Sequence, residues 1–134
     1  MGAFLGLKSL HASADLSIAI QESLGYEVAL LISMMEKVYP FPKSLEVSGG
    51  LANVEDLMQM IADITGRILR LHTDKDASYG DARMAMTAEF PFEKLPCAGK
   101  DKGPRYVVPG KQRERYAPLA ERFAHSVKDR LFSL

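Results

Sequence analysis

The sequence has almost no cysteine and no surplus of charge. Cys97 is the single cysteine among 134 residues, which excludes an intramolecular disulfide and gives no support for secretion. Seventeen basic residues balance seventeen acidic ones, whereas a protein that holds nucleic acid or an anionic membrane carries a basic surplus. We therefore expect neither nucleic acid nor a membrane as a partner.

Long hydrophobic runs are also missing. The longest apolar stretch, Val28–Met35, is interrupted by Ser33 and is far too short to span a bilayer. Near the N-terminus, Lys8 and His11 interrupt the apolar core that a secretory leader would need. The predicted location is the cytoplasm.

What is present has the composition of one soluble globular domain, with 47 % hydrophobic and 25 % charged residues. Apolar periodicity predicts helices at about 13–37, 54–65, 77–89 and 112–132, and strands at 45–48 and 68–71. Strands separated by helices predict parallel pairing in an α/β arrangement. Two strands with four helices leave sheet edges and helix faces uncovered, so the piece looks incomplete.

Local signals predict where the helices begin and end. Ser13, Asn53 and Asp76 are placed to cap the first three helices, and Gly66 suits the position just after the second. Pro118 must lie in the first turn of the last helix or kink it. Between the third and last helices, residues 91–111 are rich in proline, glycine and lysine and are predicted as a surface loop, with 106–108 extended.

The most informative local pattern is a strand that ends in two glycines and opens into a helix. Glycine lets the backbone approach a ribose or phosphate closely, and free N–H groups at a helix start attract negative charge. Ligands of open α/β sheets also lie beyond the carboxyl ends of strands, where Gly49 and Gly50 would sit. Taken alone, the pattern equally fits a tight turn that needs glycine.

The longer segment Leu45–Gly66, LEVSGGLANVEDLMQMIADITG, closely resembles the adenosine-binding region of the FGGY carbohydrate kinases. Met1–Tyr26 resembles the family's GAFxGLxxxH region, residues 77–85 (ASYGDARMA) resemble its ASYGDAxxA helix, and Tyr106–Leu134 resembles the closing turn and helix. The positions that match the adenosine-region pattern are Gly49, Gly50, Gln59, Ala62, Asp63 and Gly66.

The resemblance implies an actin-like, ribonuclease-H-type ATPase fold, of which residues 1–134 form an incomplete C-terminal, adenosine-binding domain. In such kinases two domains close over sugar and ATP, and a sugar hydroxyl attacks the γ-phosphate. Gly49 and Gly50 would lie against the ribose and α-phosphate, and Leu51, Asn53 and Val54 would edge the adenine. ATP and Mg²⁺ are the implied cofactors, with the metal held mainly by the ATP phosphates.

The sequence departs from the family pattern at several points. Val54 stands where the family has Asn or Ser to contact adenine, and Ile18 stands where it has Arg in the first long helix. Nothing matches the N-terminal phosphate motif, the catalytic Asp or the Gly-Thr phosphate loop, so no catalytic residue is assigned and the chain alone should not phosphorylate a sugar. The three histidines share no metal-ligand spacing, so no metal site is predicted.

Two functions follow from this. The first is the ATP-binding C-terminal portion of a carbohydrate kinase for a ketopentose or polyol, which meets its sugar mainly through a missing N-terminal domain. The alternative is a non-catalytic remnant that serves as an interaction or oligomerisation module, for example as a homodimer. Asn53 is interpreted either as a helix cap or as an adenine ligand, and Asp63 either as bonded to a neighbouring loop or as catalytic.

A local basic run has two interpretations of its own. It forms a solvated loop surface, or it contacts ATP phosphate or a partner domain. Its members are Lys100, Lys102, Arg105, Lys111, Arg113 and Arg115.

Overall fold

The computed structural model describes residues 3–72, 77–91, 94–95 and 103–131. Asp76, Cys97, Lys100 and Lys102 therefore lie outside the described residues, and so does the last predicted helical residue, Phe132. The elements are α1 (Ser13–Met35), β1 (Ser44–Ser48), a 3-10 turn (Gly50–Asn53), α2 (Glu55–Thr65), β2 (Ile68–His72), α3 (Ala77–Met86), β3 (Arg105–Val107) and α4 (Arg113–Leu131).

The sheet has the order β1-β2-β3 and mixes two kinds of pairing. β1 and β2 are parallel, as predicted, and Ser48 lies opposite His72 at their carboxyl ends. β3, in the segment predicted as extended, pairs antiparallel with β2 and sets Arg105 opposite Leu71. Because β3 runs the other way, its first residue lies at the same edge of the sheet as the last residues of β1 and β2.

The main core forms where α2 covers one face of this sheet. Leu69 and Leu71 are almost completely buried against Leu57, Met58 and Ala62 of the helix. Each fully buried leucine contributes about 1.5 to 3 kcal/mol to folding. This packing fixes the start of α2 relative to the end of β1, which is where the candidate site lies.

A second cluster joins α1, α2 and α4. Tyr26, Ile64 and Tyr116 are buried together, and the ring centroids of Tyr26 and Phe123 are 5.6 Å apart. A Cβ on Gly25 would come within 2.5 Å of the Ile64 Cδ1 atom, so only glycine lets α1 and α2 approach this closely. The two long helices therefore pack directly on α2.

This cluster predicts a loss of stability at alkaline pH. Burial raises the pKa of both Tyr26 and Tyr116 above the ordinary value of 10.0. The neighbouring Glu22 carboxylate raises both pKa values further. Unfolded tyrosines ionise near pH 10 while the folded ones stay protonated, so the free energy of unfolding is unaffected below that pH and falls as the pH rises above it. The slope is up to about 1.4 kcal/mol per pH unit for each tyrosine.

Urea unfolding followed by circular dichroism between pH 9 and pH 11 measures this slope. The substitution Tyr26→Phe should make it shallower, whereas Tyr106→Phe, at an exposed position, should leave it unchanged. An equal slope in the wild-type chain and the Tyr26→Phe variant would contradict the assignment.

The helix ends confirm one local prediction and correct three. Gly66 ends α2 in the left-handed conformation (φ 65°), and its N–H donates to the Ala62 carbonyl at 2.8 Å, as predicted. Ser13 is not the cap of α1, because the helix is capped one residue earlier and the Asp15 carboxylate accepts the N–H of that residue at 2.8 Å. Pro118 lies inside α4, beyond the first turn, so the first-turn alternative is wrong and a kink at this residue stays a prediction.

The third correction concerns Asn53, which does not cap α2. A 3-10 turn occupies residues 50–53, so the cap position falls on the extended residue Val54 and has no side-chain cap bond. The Asn53 side-chain amide instead donates to the Gly50 carbonyl at 3.4 Å.

Within the described residues, α1 alone is long and apolar enough to cross a bilayer by length and composition. The apolar stretch Val28–Met35 is too short to span a bilayer, but the whole helix is not. Core helices of soluble proteins pass the same test when they are mostly buried, whereas only 17 % of the apolar window of α1 is buried here.

Candidate functional site

The two glycines form a corner at the carboxyl end of β1. Gly49 has φ +100° and ψ 177°, a conformation that is essentially restricted to glycine. Gly50 begins the 3-10 turn, and the Ala52 N–H donates to the Gly49 carbonyl at 3.0 Å. The chain therefore passes from β1 through a 3-10 turn into α2.

This diglycine corner is open. A Cβ added at Gly49 or at Gly50 would meet no atom within 4 Å. Among the described residues, cavities of about 670 Å³ and about 500 Å³ lie elsewhere, the first beside α1 and α4 and the second at the amino ends of β1 and β2. The corner is thus an accessible shelf, the shape expected of one wall of a cleft.

The residues that follow the glycines divide into an anchor and an exposed rim. Ala52 is completely buried and ties the turn to the core, whereas Leu51 and Val54 are 61 % and 46 % exposed. Asn53 is exposed beside them. All five sequence-predicted residues lie in this strand-to-helix segment, and two of them, Leu51 and Val54, expose apolar side chains.

The matching residues of α2 serve the fold and do not reach the corner. Asp63 is 4 % exposed, and its Oδ1 atom accepts hydrogen bonds from the Gly110 N–H and from Gln59 Nε2, the latter at 3.0 Å. Gln59 also donates to the Val108 carbonyl at 2.9 Å. The interpretation of Asp63 as bonded to a neighbouring loop is confirmed: with Gln59, it holds the segment between β3 and α4.

Two further polar side chains lie at the same edge of the sheet, and one of them, His72, was not part of any predicted site. Arg105 starts β3 and forms an ion pair with Glu55, the first residue of α2. His72 ends β2 opposite Ser48, and its Nε2 atom contacts the Glu46 carboxylate. The basic run already contained Arg105, but only the antiparallel pairing of β3 brings it to this edge.

The ion pair changes the electrostatics of the corner. Glu55 alone would repel a phosphate from the start of α2, where the helix dipole otherwise favours an anion. Arg105 offsets that carboxylate, so the pair carries no net charge at the start of α2. Within the described ranges there is no group of three or more His, Cys, Asp or Glu residues that could hold a metal ion.

Comparison with known proteins first defines the class of fold. Xylulose kinase from Rhodospirillum rubrum has a solved structure that matches 96 % of this chain with a TM-score of 0.72 and 18 % sequence identity, and the chain covers 26 % of that structure. The chain therefore has the fold of part of an actin-like α/β domain, as expected from the sequence.

Sequence comparison then identifies the family. The family model described as "FGGY family of carbohydrate kinases, C-terminal domain" matches residues 1–89. Xylulose kinase of Escherichia coli is 34 % identical over 96 residues, which are 70 % of this chain and 20 % of that protein. A probable L-xylulose kinase of Haemophilus influenzae is 34 % identical over 91 residues, which are 67 % of this chain and 19 % of that protein.

The chain belongs to the FGGY family of carbohydrate kinases. It spans about a fifth of the length of the curated relatives it matches.

Proposed function

We propose that this chain is the ATP-binding C-terminal portion of a cytoplasmic carbohydrate kinase that acts on a ketopentose or polyol. The open diglycine corner is the observation that carries the proposal. A Cβ built at Gly49 or Gly50 would meet no atom within 4 Å, so no neighbouring side chain closes off the backbone at these two positions. The corner also lies beyond the carboxyl ends of parallel strands, where open α/β sheets bind their ligands.

The rim supplies the adenosine contacts in this proposal. Leu51 and Val54 offer apolar surface to the faces of the adenine, and the Asn53 carboxamide offers polar atoms to its edge. Gly49 and Gly50 lie against the ribose and α-phosphate, and Arg105, by pairing with Glu55, reduces the repulsion between that carboxylate and the phosphates. Mg²⁺ would arrive with its ligands mainly from ATP, as is usual for this ion.

Phosphoryl transfer depends mostly on positioning and on charge stabilisation. The present residues hold one end of ATP, and no described residue is assigned to remove the proton from a sugar hydroxyl. Sugar binding and that proton transfer belong to an N-terminal domain of the kind the longer relatives carry. The chain by itself is therefore proposed to bind ATP without transferring its phosphate.

The second candidate function is a non-catalytic remnant that serves as an interaction module or forms a homodimer. Two substitutions favour it. Val54 replaces the family's adenine-contacting Asn or Ser, and Ile18 replaces an Arg and is 48 % exposed on α1. An exposed isoleucine in place of a cation suits a protein contact better than a nucleotide contact.

Isothermal titration of the chain with the non-hydrolysable analogue adenosine 5′-(β,γ-imido)triphosphate and Mg²⁺ separates these functions. We expect a dissociation constant of about 1 mM or tighter, which corresponds to about 4 kcal/mol. Adenosine should compete, because the rim contacts the nucleoside. Absence of heat, or competition by inorganic triphosphate and not by adenosine, would contradict the proposed site.

A further inference from the structure

α1 is apolar on two opposite faces. One face carries Gly25, Tyr26 and Ile32, which are buried against α2 and α4. The other face has large apolar side chains three or four residues apart, broken once by Glu27, and we call it the outer stripe. Its members, Ile20, Leu24, Leu31 and Met34, are 41 % to 59 % exposed.

A helix that is apolar all round is normally a buried helix. The residues before α1, which we call the N-terminal arm, add the exposed apolar side chains Phe4 and Leu5. Ile20 of the outer stripe lines the cavity of about 670 Å³ together with these two residues, so the arm and the stripe adjoin. Large apolar side chains grouped on one exposed helix face are typical of an interaction site. Spacing of three and four residues is what a second helix packs against.

The charges on α1 argue against a lipid surface as the cover. Glu27 lies within the outer stripe between Leu24 and Leu31, and Glu22 lines the adjoining cavity. A carboxylate in the middle of a lipid-facing helix is costly, whereas a protein partner can solvate or pair it. The helix therefore suits a protein interior better than a bilayer.

We propose that the outer stripe is the docking surface for the portion of an FGGY-type kinase that this chain does not span, and that it receives a helix of that portion. This inference rests on the proposed function, because it takes the remaining portion of such a kinase as the partner. The xylulose kinase structure that matches 96 % of the chain is about four times as long, since the chain covers 26 % of it. A protein of that length has further segments that can pack against the outer stripe of α1.

A chimera tests the assignment. The full chain replaces its matching segment in Escherichia coli xylulose kinase, and thermal unfolding is measured for the chimera and for the isolated chain. The double substitution Leu24→Glu with Leu31→Glu should lower the melting temperature of the chimera by at least about 5 °C, because two charges would be buried. It should change that of the isolated chain by less than about 1 °C, because both positions are exposed there.

The matched control adds the same charge outside the stripe. Gln112→Glu with Ala117→Glu, at exposed positions near the start of α4, should leave both melting temperatures within about 1 °C. An insoluble parent chimera, or equal melting temperatures with and without the stripe substitutions, would overturn the proposal.

The isolated chain and its variants also test two other partners for the outer stripe, a second copy of the chain and a lipid surface. If the isolated chain sediments as a dimer that Leu31→Glu dissociates, the stripe belongs to a second copy and the proposal is wrong. If the chain co-sediments with phosphatidylcholine vesicles, the stripe binds lipid and the proposal is equally wrong. None of these measurements involves a nucleotide, so a failure here is distinct from a failure of ATP binding.

Discussion

Gly50→Val is expected to weaken binding of the ATP analogue by at least about 100-fold while leaving the unfolding temperature nearly unchanged. Gly50 is the one corner position where a side chain fits the protein and still obstructs the ligand. Its φ is not positive, and a Cβ there meets no atom within 4 Å. The added isopropyl group would instead project over the backbone that the ribose and α-phosphate are proposed to approach.

Gly49 is unsuitable for the same test. At φ +100° any other residue is strained, so loss of binding in a Gly49 variant would not distinguish a blocked site from a distorted one. Gly80→Val is the matched control, since Gly80 also has open space and a negative φ but lies on α3. It should bind the analogue like the parent chain.

Titration calorimetry and thermal unfolding are to be run on the same samples of the Gly50 and Gly80 variants. The nucleotide site is placed wrongly if the Gly50→Val variant binds the analogue as tightly as the parent. It is also wrong if both valine variants lose binding equally, because the effect then does not depend on the corner.

The order of elements could be predicted from the sequence because each is encoded locally. Helical periodicity marks α1, α2 and α4, and Gly66 has the local signature of a left-handed helix end, which the structure shows. Parallel pairing of β1 and β2 follows from the helix between them. The antiparallel addition of β3 could not be predicted, because it has only three residues and pairs with a strand more than thirty residues earlier.

The features of the candidate site could likewise be predicted where a local pattern encodes them. The glycine requirement at position 49 is visible in the sequence, and the structure shows the positive φ that explains it. Local capping preference favoured Asn53 as the cap of α2, but the 3-10 turn moves the cap to Val54. The position of Arg105 beside Glu55 depends on a contact between residues fifty positions apart, which no local pattern encodes.

The second large effect concerns stability. Asp63→Ala is expected to lower the free energy of unfolding by about 3 kcal/mol. The buried carboxylate accepts hydrogen bonds from the Gly110 N–H and from Gln59, and bonds to a charged acceptor contribute about 1.5 to 3 kcal/mol each. Alanine removes the acceptor, leaves a small void and releases the segment that leads into α4.

The loss should also be local in its first effects. Because Asp63 joins α2 to the residues just before α4, amide exchange at 108–112 should accelerate more than exchange in β1 or β2. Asp63→Asn keeps one side-chain oxygen as an acceptor and should cost only about 1 kcal/mol. The control Asp56→Ala, at an exposed position in the first turn of the same helix, should cost less than about 1 kcal/mol.

Urea unfolding of the Asp63 and Asp56 variants, together with hydrogen exchange read by mass spectrometry, measures both quantities. If Asp63→Ala costs no more than Asp56→Ala, or if exchange at 108–112 is unchanged, the carboxylate does not hold this segment. The resemblance of this aspartate to the family pattern would then need another explanation, and catalysis would be the first to test. With the expected result, the α2 part of the pattern maintains the fold that carries the diglycine corner, because Asp63 holds its segment near the C-terminal end of α2, whereas the glycines precede its N-terminal end.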